Sequence, residues 1–240
     1  MIRIGVLGAS GRMGAQVLAS LQAKHNAQAV HAASISHGDA PDALLDCDAV
    51  IDFSAPDAVL ALLDRLGAAP GPLPALVIGS TGWTPAQRAR LDEAAVRTPV
   101  LVSSNFSTGV LALHEILKLA APLLKRLGYI PSIVETHHVH KKDAPSGTAL
   151  SLRQSIDPAQ PASVPTRSLR EGEVIGDHEV TFQGPADHLT FGHFAQDRSI
   201  FARGAIDAAV WLAGRRTGPS VPRAVLGMDA FFAQKISQTP

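Results

Sequence analysis

The chain has 240 residues, 46% of them hydrophobic and 18% charged, enough to bury one large core or two smaller ones and too apolar for general disorder. Its 21 basic and 21 acidic residues cancel, which removes the electrostatic case for nucleic acid or an anionic membrane surface as a partner. Cys47 is the single cysteine, so no internal disulfide can form and a reducing, cytoplasmic setting is expected.

Ile2–Leu7 reads as a short β run leading straight into Gly8-Ala9-Ser10-Gly11-Arg12-Met13-Gly14. Ala15–Ala23 follows as a helix with Val17, Leu18 and Leu21 as its apolar stripe. The opening stretch is broken by glycine too soon for a signal peptide, and no apolar run approaches membrane-spanning length. Strands are predicted at Val30–Ser36 and Ala49–Phe53, then a helix opened by Ser54 and Pro56 and running to about Leu66. After a strand at Ala75–Ile78, Thr84-Pro85-Ala86-Gln87 has capping-box spacing with proline at the first helical position, which predicts a helix to about Arg97. Val100–Ser103 makes a fifth strand. Strands alternating with helices of this length imply βαβ units, so this part is doubly wound α/β with a parallel sheet.

The texture changes after Asn105-Phe106-Ser107. A long amphipathic helix is predicted at Gly109–Leu127, interrupted by Pro122 and closed by Gly128. An extended stretch at Ile130–His140 precedes a helix from Gly147, and the proline-bearing Asp157–Pro165 reads as a connecting loop. Alternating runs at Glu173–Ile175, Glu179–Gln183 and His188–Ala195 suit antiparallel strands. A helix at Gly204–Gly214 and a short tail close the chain.

Gly8, Gly11 and Gly14, between a strand and a helix, suit phosphate binding, because bare backbone can approach a pyrophosphate and the helix start offers unpaired N–H groups. The spacing departs from G-x-G-x-x-G, and a plain strand-to-helix turn is the competing reading. The second strand ends in Ser34-Ile35-Ser36-His37, with no acid until Asp39. Hydroxyls and an imidazole there, with Arg12 near, tilt the cofactor towards NADPH, with NADH the alternative.

Glu135–Leu150, ETHHVHKKDAPSGTAL, gathers His137, His138, His140, Lys141 and Lys142 ahead of Ser146-Gly147-Thr148. On a strand, Glu135, His137 and Val139 share one face and Thr136, His138 and His140 the other. Pro145 disfavours helix at Ala144, so a helix starts at Ser146-Gly147-Thr148, where backbone N–H groups and hydroxyls seat a carboxylate or phosphate. A lysine supplies charge, and a histidine near neutrality can deliver a proton. Three other readings compete: a metal held by His138, His140 and Asp143, a solvated basic loop, and Ser146 as a nucleophile, which lacks a G-x-S-x-G elbow.

GASGRMG and ETHHVHKKDAPSGTAL together resemble the dihydrodipicolinate reductase (4-hydroxy-tetrahydrodipicolinate reductase) family. The resemblance extends in order to Val50–Ser54, Val77–Trp83, Ser104–Ser107, His193–Arg198 and Phe201–Ala205. It implies an NAD(P)H-dependent homotetramer of lysine and diaminopimelate biosynthesis that acts on a small dicarboxylate without a metal. A Rossmann-type dinucleotide-binding domain (1–107 and 199–240) would carry a smaller α/β substrate-binding and tetramerisation domain (108–198) with an open mixed sheet. By the resemblance His137 is the proton donor and Lys141 the catalytic lysine, while His138, Ser146, Gly147 and Thr148 bind substrate. Gly8, Ala9, Ser10, Gly11, Arg12, Met13, Ser36, Gly79, Ser80, Thr81, Ser104, Asn105, Phe106 and Ser107 would line the cofactor. Ser80 replaces a threonine common in the family, and Gly218-Pro219-Ser220-Val221 departs from its glycine–aromatic tail. Another two-domain dehydrogenase would lack the Lys-Lys-Asp-Ala-Pro-Ser-Gly-Thr run, and a non-catalytic NAD(P) sensor would have no use for His137 and Lys141.

Overall fold

Aliphatic residues at Ile2–Leu7 form β1, the strand around which the first sheet is built. The computed structural model describes residues 1–217 and 221–237. β2 (Ala29–Ile35), β3 (Ala49–Asp52), β4 (Ala75–Ile78) and β5 (Val100–Val102) join β1 in the order β2-β1-β3-β4-β5, every pair parallel. β3 and β4 are buried at every residue, as strands covered on both faces must be. One core layer sets Val59, Leu62 and Leu66 of α2 (Pro56–Ala68) and Leu91 of α3 (Pro85–Ala95) against Val50, Leu76 and Ile78. α1 (Arg12–Gln22) and α6 (Ser199–Ala213) pack together, and α6 also lies against β3 and β4. Leu226 exchanges backbone hydrogen bonds with Val100 and Val102, covering the edge of β5.

The chain divides into two compact units, one from Met1 to Phe106 with the chain from Ser199 onward, the other Ser107–Arg198. The second unit has a four-stranded sheet in the order β7-β6-β8-β9, from β6 (Ile130–His137), β7 (Thr166–Arg170), β8 (Asp177–Gln183) and β9 (His188–Phe194). β7 runs parallel to β6 and the other pairs are antiparallel, so the sheet is mixed. α4 (Thr108–Arg126) and α5 (Gly147–Ile156) cover one face, where Leu117, Leu124 and Leu152 pack on Ile133, Val180 and Phe182.

Five elements differ from the sequence reading. Glu173–Ile175 is turn and coil, and the strand lies at Thr166–Arg170 instead, because pairing with β6 decides there rather than local alternation. α4 runs unbroken through Pro122: the proline sits on the exposed side, and Leu117, Ala121 and Leu124 hold the helix in the core. α6 begins at Ser199, five residues before the expected Gly204, and α7 (Met228–Ser237) forms where a short tail was read. α1 begins at Arg12, so Arg12, Met13 and Gly14 make its first turn rather than a loop. The tail departure at 218–220 lies outside the described residues. No helix among the described residues is long and apolar enough to cross a membrane.

Candidate active site

β2 and β3 flank β1, so successive crossovers leave β1 in opposite directions and open a crevice at the strand ends. A cleft of about 600 Å³ lies there, lined by Gly8, Ser10 and Gly11, by Ser36 and Asp39 after β2, and by Ser54 after β3. Gly8 turns the chain at φ 83°, a left-handed conformation. Gly14 packs on the Gly8 carbonyl so closely that a Cβ would overlap it and come within 2.8 Å of the Ala9 Cα. Gly11 is the N-cap of α1 and lends no side chain to the first-turn amides, leaving a helix N-terminus for a pyrophosphate. These residues fit a dinucleotide.

The turn after β2 is built differently from the expectation. Asp39 Oδ2 accepts a hydrogen bond from Ser36 N at 2.9 Å, so an acid folds back to the strand end and lines the cleft. Arg12 lines the adjoining depression instead, with Met13, Ser54, Gly79, Ser80 and Thr81. Asp52, 2% exposed, sits beneath these loops and accepts from Ser54 N at 2.8 Å and Ser80 N at 3.3 Å. Burial raises its carboxyl, and the serine hydrogen bonds offset part of that rise. Ala9 and Phe106 are buried, Phe106 edge-on to Phe53 at 5.5 Å, so both side chains serve packing. Ser104 is exposed and Asn105 half-buried in the segment after β5, whereas Ser107 opens the second unit.

In the second unit β6 turns Ile133, Glu135 and His137 inward. Glu135 has no exposed surface and its Oε2 is hydrogen-bonded to His137 Nδ1. Arg170, the register partner of His137 in β7, donates to both Glu135 oxygens, at 3.1 Å and 3.3 Å. It also donates to the Lys141 carbonyl at 3.2 Å and the Asp143 carbonyl at 2.6 Å, tying down the turn that carries Lys141. Lys141 Nζ pairs with Asp143 Oδ1 at 2.9 Å. His178 lies opposite Glu135 in β8, its ring edge-on to His137 at 5.2 Å.

Two helix starts meet these strands. Ser146 caps α5, accepting from Ala149 N at 3.1 Å, while its Oγ lies 3.1 Å from His178 Nε2. Ser107 caps α4 in the same way, accepting from Val110 N at 3.3 Å with His193 Nε2 at 3.0 Å. A serine hydroxyl can accept from an amide and still donate to an imidazole. Ser146 N donates to Glu135 Oε1 at 3.3 Å, so the start of α5 is tied to the carboxylate that holds His137.

Burial, with positive charge on His137 acting in the same direction, pushes His178 down to about 3, so its ring is neutral. Burial also lowers His137, with the hydrogen bond to Glu135 working the other way. For Glu135, burial alone would raise the carboxyl, but hydrogen bonds from Ser168, Arg170 and His137 outweigh it and keep it ionised.

The structure therefore brings His137, Ser146, Gly147 and the Lys141 turn together. β6 ends at His137, and His138 lies in the turn beyond with Lys141 N bonded to its carbonyl at 3.1 Å. Among the described residues no three His, Cys, Asp or Glu side chains are arranged to hold a metal ion. Sequence reasoning placed Glu135 on the face of His137 but gave it no role. A carboxylate two residues from a histidine on a strand was the available signal. Arg170 and His178 carried none, because only strand pairing sets them there, and His193 was marked only as the start of a stretch that resembles the family.

The family model described as dihydrodipicolinate reductase, N-terminus, matches residues 2–106, and the one described as dihydrodipicolinate reductase, C-terminus, matches residues 109–229. A 4-hydroxy-tetrahydrodipicolinate reductase from Caulobacter vibrioides is 37% identical, covering 94% of this chain and 97% of its own. The chain belongs to the dihydrodipicolinate reductase family. Another reductase of that name, from Stenotrophomonas maltophilia, is 40% identical over 90% of this chain and 94% of its own. A solved dihydrodipicolinate reductase from Paenisporosarcina sp., with dipicolinate bound, shares the fold at a TM-score of 0.71 and 21% identity, covering 95% of this chain and 97% of that one. The two family models meet between Phe106 and Gly109, where the first unit gives way to the second.

Proposed function

We propose that this chain reduces 4-hydroxy-tetrahydrodipicolinate, by way of dihydrodipicolinate, to tetrahydrodipicolinate with NAD(P)H, in lysine and diaminopimelate biosynthesis. One observation carries the reading: a buried histidine hydrogen-bonded to a carboxylate stands beside the serine-capped start of α5. A planar dianion needs both an anion seat and a proton source, and this corner supplies both.

The first unit binds the cofactor at Gly8–Met13, Gly79–Thr81 and the segment after β5, and the second unit binds the substrate. A bound reduced nicotinamide supplies the hydride for the ring carbon C4. The electron pair displaced to C3 takes up the proton that His137 holds, giving tetrahydrodipicolinate and NAD(P)⁺. Gly147 and Thr148 seat one substrate carboxylate at the helix N-terminus, His138 and Lys141 face the other, and Lys141 adds charge during the reaction. Asp39 beside the ribose end of the cleft favours NADH over NADPH, because a 2′-phosphate would meet a carboxylate while Arg12 lines the adjoining depression. This reverses the tilt that the residue types alone suggest.

We assign the enzyme to the cytoplasm, in keeping with the lone thiol of Cys47. A homotetramer accounts for the bare face of the mixed sheet, where Phe194 is 58% exposed opposite the helix-covered side. The deciding assay supplies pyruvate, aspartate semialdehyde and the upstream synthase to the purified chain and follows NADH and NADPH oxidation separately. Oxidation that depends on the synthase is expected, and no oxidation with either cofactor would remove the assignment.

A further inference from the structure

Glu135 is ionic, wholly buried and touches no solvent, so its cost in desolvation must be offset by what surrounds it. Its Oε1 receives Arg170 Nη2 and Ser146 N, and its Oε2 receives Arg170 Nη1 and lies against His137 Nδ1. With donors already on both oxygens, a carboxylate has only acceptor capacity left for His137, so the histidine must present Nδ1–H. The other ring nitrogen, Nε2, then lies at the ring edge that faces Gly176. Gly176 keeps that edge clear, for a Cβ on it would stand 3.0 Å from Nε2 and 3.3 Å from Cδ2.

We propose that Glu135 and Arg170 are positioning residues for proton transfer: Glu135 fixes His137 with Nδ1–H inward so that Nε2 carries the mobile proton, and Arg170 holds Glu135 and the Lys141 turn in register. This rests on His137 as the proton donor. The imidazolium form has Nδ1–H on the carboxylate and Nε2–H towards substrate, and after the transfer the neutral ring keeps the Nδ1 proton. The ring need not turn between the two states, so the donor is set before substrate arrives. Arg170 adds a second link, since its bonds to the Lys141 and Asp143 carbonyls make the lysine turn depend on the same carboxylate.

Glu135→Gln breaks the arrangement at nearly constant shape. With its oxygen kept by Arg170 and Ser146 N, the amide presents NH₂ to His137 Nδ1, which must then accept, and the neutral ring moves its proton to Nε2. The readout is the ¹⁵N spectrum of histidine-labelled protein above the His137 titration, with His137→Gln locating the resonance. Wild type is expected to show Nδ1 as the protonated nitrogen, and Glu135→Gln to exchange the two signals. The kcat of Glu135→Gln falls at least ~10-fold with a smaller change in KM, and its high-pH limb, where the donor deprotonates, moves to lower pH. Glu135→Asp, which keeps the charge, restores the wild-type tautomer and pH limb. The groups facing His137 that bear on that limb are Glu135, Arg170, Lys141, Asp143 and His178.

Wild-type His137 protonated at Nε2 when neutral overturns the proposal, whether or not Glu135→Gln folds. An unchanged tautomer and pH limb in Glu135→Gln overturns it as well. Full activity in His137→Gln removes the proton-donor reading beneath it, and is told apart because the tautomer of wild type is measured independently of turnover.

Discussion

Ser146 Oγ and His178 Nε2 stand 3.1 Å apart, and that one contact joins the start of α5 to the strand beside it. Because the same oxygen caps Ala149 N, removing it loses a helix cap and a tie across the sheet together. Ser146→Ala is expected to lower the unfolding free energy by about 1–2 kcal/mol in urea titrations. KM should rise more than kcat falls, since in the proposed function the helix start seats a substrate carboxylate and His137 supplies the proton.

The neutral, buried His178 makes stability depend on acid. Its folded value of about 3 lies below the ordinary 6.5, so between those limits the unfolded chain binds the proton and the folded one does not. Stability from this group is complete above pH 6.5 and falls with decreasing pH, at roughly 1.4 kcal/mol per pH unit at most. Urea midpoints measured from pH 7.5 down to pH 4.5 should show the slope, and His178→Asn should flatten it. The buried His137 and the half-buried His114 and His193 are also lowered by burial and leave a residual slope of the same sign.

His137→Gln and Lys141→Ala are each expected to lose at least ~100-fold in kcat, the usual scale for a positioned proton donor or charge. Steady-state kinetics with the synthase-coupled substrate measure both. Near-wild-type turnover in either variant would strip that residue of its role.

Asp39→Ala should change the choice of cofactor rather than the chemistry. Removing a carboxylate from the cleft relieves repulsion of a 2′-phosphate and deletes an acceptor for ribose hydroxyls. The ratio of kcat/KM for NADPH over NADH is expected to rise roughly tenfold, about 1.4 kcal/mol. A ratio that stays put would place the determinant elsewhere.

Gly204 shows how tightly α6 is seated. A Cβ at this position would overlap the Phe106 carbonyl oxygen and lie 2.9 Å from its carbon, both of them backbone atoms with little freedom to yield. Gly204→Ala is therefore expected to destabilise the protein by about 1–3 kcal/mol in spite of the better helix propensity of alanine. Thermal unfolding of the variant tests this, with a higher midpoint the opposing result.

The first sheet was legible because most of its strands are local apolar runs followed by turn chemistry, as with Ile2–Leu7 into Gly8 and Ala75–Ile78 into Gly79. Thr84 and Gln87 form the capping box that their spacing implies. β7 was not legible, since Thr-Arg-Ser-Leu-Arg has weak alternation and becomes a strand through its partner β6. The same holds within the site. His137 and Ser146 stand out in the sequence, but the carboxylate–guanidinium pair behind them joins residues 35 apart along the chain, which no local pattern links. Asp39 lies beyond the end of β2 along the sequence, and a tight turn through Gly38 brings it back.

α6 occupies a place in the first unit that the opening hundred residues leave empty, against α1, β3 and β4. Its sequence leaves the ribosome only after all of the second unit has been made. The second unit, continuous from Ser107 to Arg198, can close as soon as it emerges, while the parallel sheet waits with an apolar face exposed. Synthesis thus reverses the order of the chain: the later-encoded unit is finished first, and the vulnerable interval for aggregation belongs to the N-terminal half.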